Sequence, residues 1–479
     1  HERQRRRRVH PIEKSLGLKG ARFDHLIKSC CNQNLHCTMN SPSKTEHPVA
    51  QEAPSPPSLA QACRFWFKLG CLSFGGPAGQ IAMLHQELVV RQRWISEKRF
   101  LHALNYCMVL PGPEAQQLVT YMGWLMHKTW GGLVAGALFV LPSLCVLVAL
   151  SWLYVTYADW PWVAHAFAGI KPAIVAIVAH AAFRIAGRVL THPGLWILSL
   201  GAFVAMAVLQ WPFALILIGA AFIAWLGSRM APEALSAQRN VSHFASSLHT
   251  RAWIDDDTPL PAHAQVSAWH SVRVVWAGLL LWALPLVLVW AVFGGGHLLM
   301  DLAWFFTKAA LLTFGGAYAV LPYVHQGAVV EYAWLSSAQM MDGLALGETT
   351  PGPLIMVVAF VGFLAGHAQA MAGSADAFAW GLLAASWVTW FTFLPSFVFI
   401  LAGAPWVERT QDQLNWSAPL SGVSAAVVGV IAHLALSFAQ HGFWPQGGSG
   451  PIQWSSVAIA MLALVALVKF KRNVLEIVV

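Results

Sequence analysis

Apolar runs long enough to cross a lipid bilayer recur along this chain from about Leu59 to Phe470. A helix needs roughly 20 apolar residues to cross the hydrocarbon core, so the runs leave room for about ten to twelve helical segments. Only 10% of the residues are charged, against roughly a quarter in a soluble domain. The runs are continuous and lack a period of two, which excludes an outer-membrane barrel and predicts an all-α polytopic membrane protein.

Polar stretches divide the chain into five parts. They are a basic and polar tail at 1–58, a first membrane domain at 59–227, a polar cytoplasmic linker at 228–273, a second membrane domain at 274–471 and a C-terminal tail at 472–479. The basic tail is expected to be solvated rather than bound to nucleic acid. The sequence does not begin with Met, and a Pro/Ser-rich stretch starts at Met39. Whether residues 1–38 are native is therefore left open, and the fold prediction omits them.

Two long stretches of the chain resemble each other. Residues 65–113 align with residues 305–353 at a constant offset of 240, with 16 identities in 49 positions. Further on, Pro142-Ser143 matches Pro395-Ser396 at an offset of 253. The duplication therefore extends over both membrane domains and predicts two homologous halves, a plan that is common among secondary transporters.

The charges of two equivalent loops predict that the halves have opposite orientations. The loop from Glu87 to Arg99 carries four Lys or Arg residues, whereas its counterpart from Gly327 to Gln339 carries none. Lys and Arg accumulate in short cytoplasmic loops, so the first loop is expected inside and the second outside, which makes the repeat inverted. The other basic residues fall inside only if segments 65–84 and 101–127 are broken helical hairpins. Full crossings with exceptions to the charge rule are the alternative.

Glycines and prolines interrupt these hairpins at equivalent positions in both halves. The triplet Pro111-Gly112-Pro113 has its counterpart in Pro351-Gly352-Pro353, and Gly75-Gly76 has its counterpart in Gly315-Gly316. Broken backbone at membrane depth is tolerated where it lines a cavity or is packed in protein. One hypothesis is that the half-helices restarting beyond the breaks direct free N–H groups at an anion. The other is a packing kink, and the repetition of both breaks favours the anion.

Lysine is the candidate cation beside the breaks. Lys68 and Lys308 occupy equivalent positions just before the glycine pairs. A membrane-embedded lysine is costly and by default indicates an ion pathway, and two inverted copies would bring two cations to one anion. The alternative is that each side chain extends to the membrane surface. Lys171 is a weaker candidate because its counterpart is Ser424.

Carboxylates and histidines near the breaks are candidates for proton coupling. Glu114 follows the first triplet and Glu348 precedes the second, and neither has an acidic counterpart in the other half. A carboxylate in a partly dry site suits proton exchange, although a helix cap or an ion-pair partner is an equal alternative. His85 and His325 titrate near neutral pH when they are unperturbed, but such residues more often make structural hydrogen bonds.

Three stretches carry a resemblance to a known family: Phe65 to Pro77, Arg93-Trp94-Ile95 and Leu110 to Leu118. With these motifs the sequence resembles the chromate ion transporter family, ChrA type. Because the match extends over both halves, it resembles the long-chain, two-domain members. The resemblance implies a multi-pass protein of the bacterial inner membrane that exports chromate from the cytoplasm, is driven by the proton gradient and confers chromate resistance.

The resemblance also implies a substrate-binding site. The family's motifs fall on Phe74, Gly75, Gly76, Pro111, Gly112 and Pro113, and again on Phe314, Gly315, Gly316, Pro351, Gly352 and Pro353. Sulfate is a tetrahedral dianion like chromate, so a carrier or channel for another oxyanion is the alternative function. Phosphate-binding loops, nucleophile motifs and metal-ligand spacings are not evident, so no enzyme activity, cofactor or metal is expected. A homodimer is left open.

Overall fold

The structure is a computed structural model. It describes residues 54–74, 76–157, 160–230, 251–258, 268–373, 376–407, 417–444, 450–470, 472 and 474–478. Helices dominate these residues, and the one isolated β-bridge among them joins Ile95 to Ile254. The predicted all-α class is confirmed.

The described part of the first half contains seven α-helices and one π-helical turn. α1 starts at a capping box formed by Ser58 and Gln61, and α5 and α6 start at Pro161 and Pro193, where proline loses no hydrogen bond. The helices are α1 Leu59–Leu72, α2 Gly76–His85, the π-helical turn Gln86–Arg91, α3 Glu97–Val109, α4 Glu114–Tyr157, α5 Pro161–Val189, α6 Pro193–Ala207 and α7 Phe213–Met230.

The described part of the second half contains nine α-helices. A second capping box, formed by Ser336 and Gln339, starts α11. The helices are α8 Ala268–Phe293, α9 Leu298–Leu312, α10 Ala317–His325, the π-helical turn Gln326–Glu331, α11 Ser337–Thr349, the 3-10 turn Leu354–Met356, α12 Val357–Gly373, α13 Ala377–Val407, α14 Ser417–Phe443, α15 Trp454–Val468 and α16 Val474–Val478.

The repeat is present in the backbone as well as in the sequence. At the offset of 240, α3 coincides with α11 and the two π-helical turns coincide with each other. Arg93 and its counterpart Ala333 share a positive φ, 52° and 50°. Helices also end before Gly76 and Gly316 and at both Pro-Gly-Pro triplets. The predicted homologous halves, with helices broken at these positions, are confirmed.

α4 consists of two helices that form a hairpin. Its 44 residues would extend about 66 Å if they were straight, about twice the thickness of the hydrocarbon core. His127 and Lys128 leave helical geometry. Gly123 then lies against Gly131, and Thr120 lies against Gly136. The part of α4 before Lys128 therefore folds back along the part that follows.

The equivalent helices α4 and α13 run antiparallel to each other. Gly132 of α4 lies against Leu401 of α13, and Gly136 lies against Phe397. As the residue number rises along one helix, it falls along the other. Two homologous helices that pack in this way are related by a local two-fold axis perpendicular to them.

The hairpins that carry the triplets approach this helix pair from opposite ends. α3 packs near the C-terminal end of α13, where the Tyr106 hydroxyl donates to the Phe399 carbonyl at 3.3 Å. α11 packs near the C-terminal end of α4, where the Tyr154 hydroxyl donates to Asp342 at 2.9 Å. From these two ends both helices lead towards the centre of the protein, where the triplets lie.

Six described segments are long and apolar enough to cross a membrane. They are Glu114–Tyr157, Pro161–Val189, Trp269–Phe293, Leu354–Met371, Ala377–Trp406 and Pro419–Phe443. α6, α7 and α15 are shorter apolar helices. α1, α2 and α3 have 14, 10 and 13 residues, which is too short for any of them to cross alone. The chain is therefore a multi-pass membrane protein.

A short piece of the predicted linker packs on the first half. Residues 231–250 and 259–267 of the linker lie outside the described residues. In the piece between them, Ile254 forms its bridge with Ile95, and Asp256 accepts a hydrogen bond from the Ser96 hydroxyl at 2.5 Å. This piece therefore lies beside the loop from Glu87 to Arg99, which is called the arginine-rich loop below. A cytoplasmic linker and a cytoplasmic loop are expected to lie on the same side of the membrane.

Candidate substrate-binding site

The two halves exchange backbone hydrogen bonds at the centre of the protein. The Gly112 N–H donates to the Thr313 carbonyl at 2.7 Å, and the Gly352 N–H donates to the Ser73 carbonyl at 2.6 Å. Ser73 and Thr313 are equivalent at the offset of 240 and directly follow α1 and α9. Each Pro-Gly-Pro triplet therefore bonds to the residue that precedes the Phe-Gly-Gly motif of the other half.

Both triplet glycines are required by backbone conformation and by close packing. φ is +128° at Gly112 and +111° at Gly352, a region that other residues rarely adopt. A Cβ at Gly112 would overlap the Ser396 hydroxyl, and a Cβ at Gly352 would overlap the Ser143 side chain. These two serines are also equivalent in the repeat. The region is named the central crossing and comprises Ser73, Gly76, Gly112, Ser143, Thr313, Gly316, Gly352 and Ser396.

Three hydroxyls at the central crossing are buried and have no hydrogen-bond partner among the described residues. They belong to Ser73, Ser143 and Ser396, each at most 1% exposed. A buried polar group without a partner costs about 1–3 kcal/mol, and each such group calls for an explanation, such as a bound ion or water. A tetrahedral oxyanion has four acceptor oxygens, so the O–H groups offer it donors.

The N-termini of two half-helices also meet at the central crossing. α2 begins at Gly76 and α10 at Ala317. Gly76 lies against the ring of Tyr318 in α10, and Gly316 lies against Pro77 in α2. A helix N-terminus carries unpaired N–H groups and a partial positive charge. The centre of the protein therefore presents positive helix ends from both halves.

The carboxylates differ between the halves. Glu348 is 4% exposed and accepts a hydrogen bond at 2.6 Å from the hydroxyl of Tyr318, whose ring lies against Gly76. Glu114 is also buried, in the first turn of α4 directly after the triplet. The structure thus brings both predicted carboxylates close to the central crossing.

Other predicted site residues lie elsewhere. Lys68 and Lys308 are exposed on α1 and α9, so they are not part of the buried crossing, and their contact with an anion stays a prediction. His85 and His325 end α2 and α10, about 13 Å along the helix from the crossing. Phe74 and Phe314 are partly buried. Gly75 lies outside the described residues, and its counterpart Gly315 directly follows Phe314.

Sequence reasoning did not find the polar side chains of the crossing. The sequence marks Ser143 and Ser396 only as part of a repeated Pro-Ser pair, and nothing in their neighbourhood indicates contact with the opposite triplet. Gln80 donates to the Gly352 carbonyl at 2.5 Å, although the second half has Val320 at that position. Asp342, which is buried beside Lys171, was missed as well.

The sequence is similar to a family model and to several known proteins. The family model described as Chromate transporter matches residues 60–225 and 300–479. The chromate transport protein of Pseudomonas aeruginosa is 34% identical over 83% of this chain and 85% of its own length. The chromate transport protein of Cupriavidus metallidurans is 26% identical over 91% of this chain and 94% of its own length. No solved structure matches the chain.

A shorter relative shows the family unit. The uncharacterized transporter YwrA of Bacillus subtilis is 30% identical over 172 residues, which make up 35% of this chain but 84% of the relative. A single unit of that size is repeated in the present chain, since the family model matches it twice. This protein belongs to the chromate transporter family, in the long form that contains two copies of the family's membrane domain.

Proposed function

We propose that this protein exports chromate from the cytoplasm across the bacterial inner membrane, coupled to the proton gradient, and so confers chromate resistance. The central crossing carries the proposal, because positive helix ends and unpartnered hydroxyls meet there. Relatives named as chromate transport proteins support chromate as the anion. Helix dipoles and hydroxyl groups can bind a dianion without placing a fixed positive charge beside it. The anion is therefore held weakly enough to be released.

The proposed orientation of the halves gives the site access to both sides of the membrane. The arginine-rich loop at 87–99 is assigned to the cytoplasm by the charge rule. The hairpins approach the crossing from opposite ends, as inverted halves do, so we expect access from the cytoplasm through one half and from the outside through the other. A reporter fused within 327–339 is then expected outside and one within 87–99 inside. Identical readings from both loops would contradict the inversion.

Glu348 is the proposed main proton carrier at the crossing, and Glu114 is the second candidate. A carrier that exchanges protons for an anion needs a group that changes protonation close to the substrate. Both carboxylates are buried, and Glu348 is linked to the crossing through Tyr318. His85 and His325 lie further away, and their role in coupling stays a prediction.

Radiolabelled chromate flux in everted membrane vesicles tests this function. Such vesicles expose the cytoplasmic face, so export is measured as uptake against a concentration gradient. A protonophore is expected to abolish that uptake. Uptake that only equilibrates would indicate a channel instead, and preferential uptake of labelled sulfate would indicate a sulfate carrier.

A further inference from the structure

A second buried charged cluster lies outside the central crossing. Asp342 of α11 has a side chain that is 5% exposed, and its Oδ2 lies 3.4 Å from Lys171 Nζ. The same oxygen accepts a hydrogen bond from the Tyr154 hydroxyl at 2.9 Å. Its other oxygen, Oδ1, is buried without a hydrogen-bond partner among the described residues. Since Lys171 lies on α5 and Tyr154 on α4, an ion pair joins the second half to the first.

At the other end of the protein, the two equivalent positions do not hold an acid and a lysine. His102 occupies the position equivalent to Asp342, and Ser424 occupies the position equivalent to Lys171. There α3 and α13 are joined by the neutral Tyr106 hydroxyl, which donates to a backbone carbonyl. The acid and the lysine are therefore not part of the repeated contacts between the halves.

The helices that form this cluster also form one contact of the central crossing. α11 leads from Asp342 towards Gly352, and α4 leads from Tyr154 back to Ser143. Gly352 lies against Ser143, so separation of α11 from α4 opens both contacts together. The Lys171 side chain is 28% exposed, so the pair is not sealed inside the protein.

Few other titratable groups face Asp342 from the helices that pack on α11. On α14, His433 and His441 are close enough to His325 to interact with it electrostatically. Glu476 of α16 is paired with Arg472 at 3.1 Å. On α4 and α5 the contacting groups are Tyr154 and Lys171 themselves.

We propose that Asp342 is a proton-binding site that controls the opening of the central crossing at the Tyr154 end of α4. While Asp342 is charged, the pair with Lys171 and the bond from Tyr154 hold α11 against the first half. A proton from the aqueous phase converts the carboxylate to a neutral acid, which removes the attraction to Lys171 and lets α11 move away from α4. Loss of the proton restores the pair. This inference rests on the proposed function.

The decisive variants are Asp342→Asn and Lys171→Gln, compared in everted vesicles by two assays. The first is chromate uptake with and without a proton gradient, and the second is chromate exchange without any gradient. Asp342→Asn is expected to lose the stimulation by the gradient but keep exchange, because Asn resembles the protonated acid. Lys171→Gln is expected to keep only part of the stimulation, through the bond from Tyr154 to the charged carboxylate. Its pH optimum is expected to shift upward, because no cation then opposes protonation.

A structural ion pair predicts different results. Both single variants would then behave alike, and the neutral double variant Asp342→Asn with Lys171→Gln would recover gradient-driven uptake. Recovery in the double variant, loss of exchange in Asp342→Asn, or normal stimulation in Asp342→Asn would each overturn the proposal. Asp301→Asn is the matched control, since Asp301 lies on α9 of the same half and has no ion-pair partner within 4.0 Å among the described residues.

A measurement that does not depend on transport separates this proposal from the proposed function. Infrared difference spectra of the purified full chain in lipid, recorded as the pH falls, report the protonation of carboxyl groups. A protonated-carboxyl band is expected in the wild type, and one component of that band is expected to be missing in Asp342→Asn but present in Asp301→Asn. Absence of any chromate flux in the wild type would overturn the proposed function alone. An unchanged band in Asp342→Asn would overturn the proton site whatever the flux.

Discussion

The first and second Pro-Gly-Pro triplets make the same backbone contacts but have different titratable neighbours. Gly112 and Gly352 both have positive φ, both donate to the opposite half and both lie against a serine. Around the first triplet, Glu114 begins an α-helix directly. Before the second lies Glu348, bonded to a tyrosine, and a 3-10 turn follows.

This difference suggests that anion binding and proton coupling use different groups of the same site. The backbone bonds of the triplets and the hydroxyls of Ser143 and Ser396 are two-fold symmetric, which suits a substrate that is reached alternately from both sides. The acidic groups are not symmetric, and the ion pair at Asp342 occurs at one end of the protein. Anion binding is therefore expected to use both halves equally, and proton coupling mainly the second.

The largest effect is expected from Gly112→Ala and Gly352→Ala. Each adds a Cβ that overlaps the opposite serine, at a cost of about 1–3 kcal/mol, and forces a residue with a Cβ into positive φ. Transport is expected to be lost in both variants, while membrane insertion persists because the apolar helices are unchanged. Chromate flux normalised to inserted protein measures this.

Gly169→Ala provides the matched control for the glycine variants. A Cβ at Gly169 has no atom within 4 Å, so flux in that variant is expected to equal that of the wild type. Normal flux in both triplet variants would contradict the close packing of the halves, and loss in only one would break the symmetry.

A smaller, equal effect is expected from Ser143→Ala and Ser396→Ala. Each removes one O–H donor with little change of shape, and a hydrogen bond to a charged group contributes about 1.5–3 kcal/mol. Apparent chromate affinity is expected to fall about ten- to hundredfold in each variant, measured as the KM of exchange. In the control Ser151→Ala, the lost hydroxyl only donates to the Leu147 carbonyl of its own helix. Unequal losses would place the anion nearer to one half.

Variants of Glu348 and Glu114 test whether proton coupling differs between the halves. Glu348→Gln keeps an acceptor for the Tyr318 hydroxyl but removes the titratable group, so the stimulation of flux by a proton gradient is expected to be lost. Glu114→Gln is expected to keep that stimulation, with a loss of flux below about fivefold, because a carboxylate at a helix N-terminus contributes about 0.3–1 kcal/mol. The ratio of flux with and without the gradient measures both. The reverse result would assign coupling to the first half.

Sequence reasoning succeeded where the information is local or repeated. Lipid-length apolar runs predict the helices, and the repeat predicts which breaks are equivalent, because both signals survive in the residue order. The serines of the crossing and the Asp342 pair depend on packing between residues far apart in the chain. The sequence marks Lys171 only as a weak candidate and does not reveal its partner, since no spacing in the sequence relates it to Asp342. A charged residue in an apolar segment indicates a free-energy cost of burial, but only the fold shows which partner offsets that cost.

The smallest effect is expected at Lys68 and Lys308, the cations that the sequence singles out. Both are exposed on α1 and α9, where an ionic interaction typically contributes no more than about 1 kcal/mol. Flux per inserted molecule is therefore expected to change by less than about fivefold in Lys68→Gln and in Lys308→Gln. If the lysines only extend to the membrane surface, Gln lowers the amount of inserted protein, and Arg replaces Lys fully.

The alternative gives a different pattern for the same variants. If the lysines neutralise the anion, Gln at either position strongly reduces flux per molecule, and Arg, which keeps the charge but changes shape and hydration, restores it only in part. Because Lys68 and Lys308 are equivalent, both positions must then respond alike. A strong and equal loss in the two Gln variants would add two cations to the symmetric part of the site. A loss at one position alone would mean that anion binding, like the acidic groups, differs between the halves.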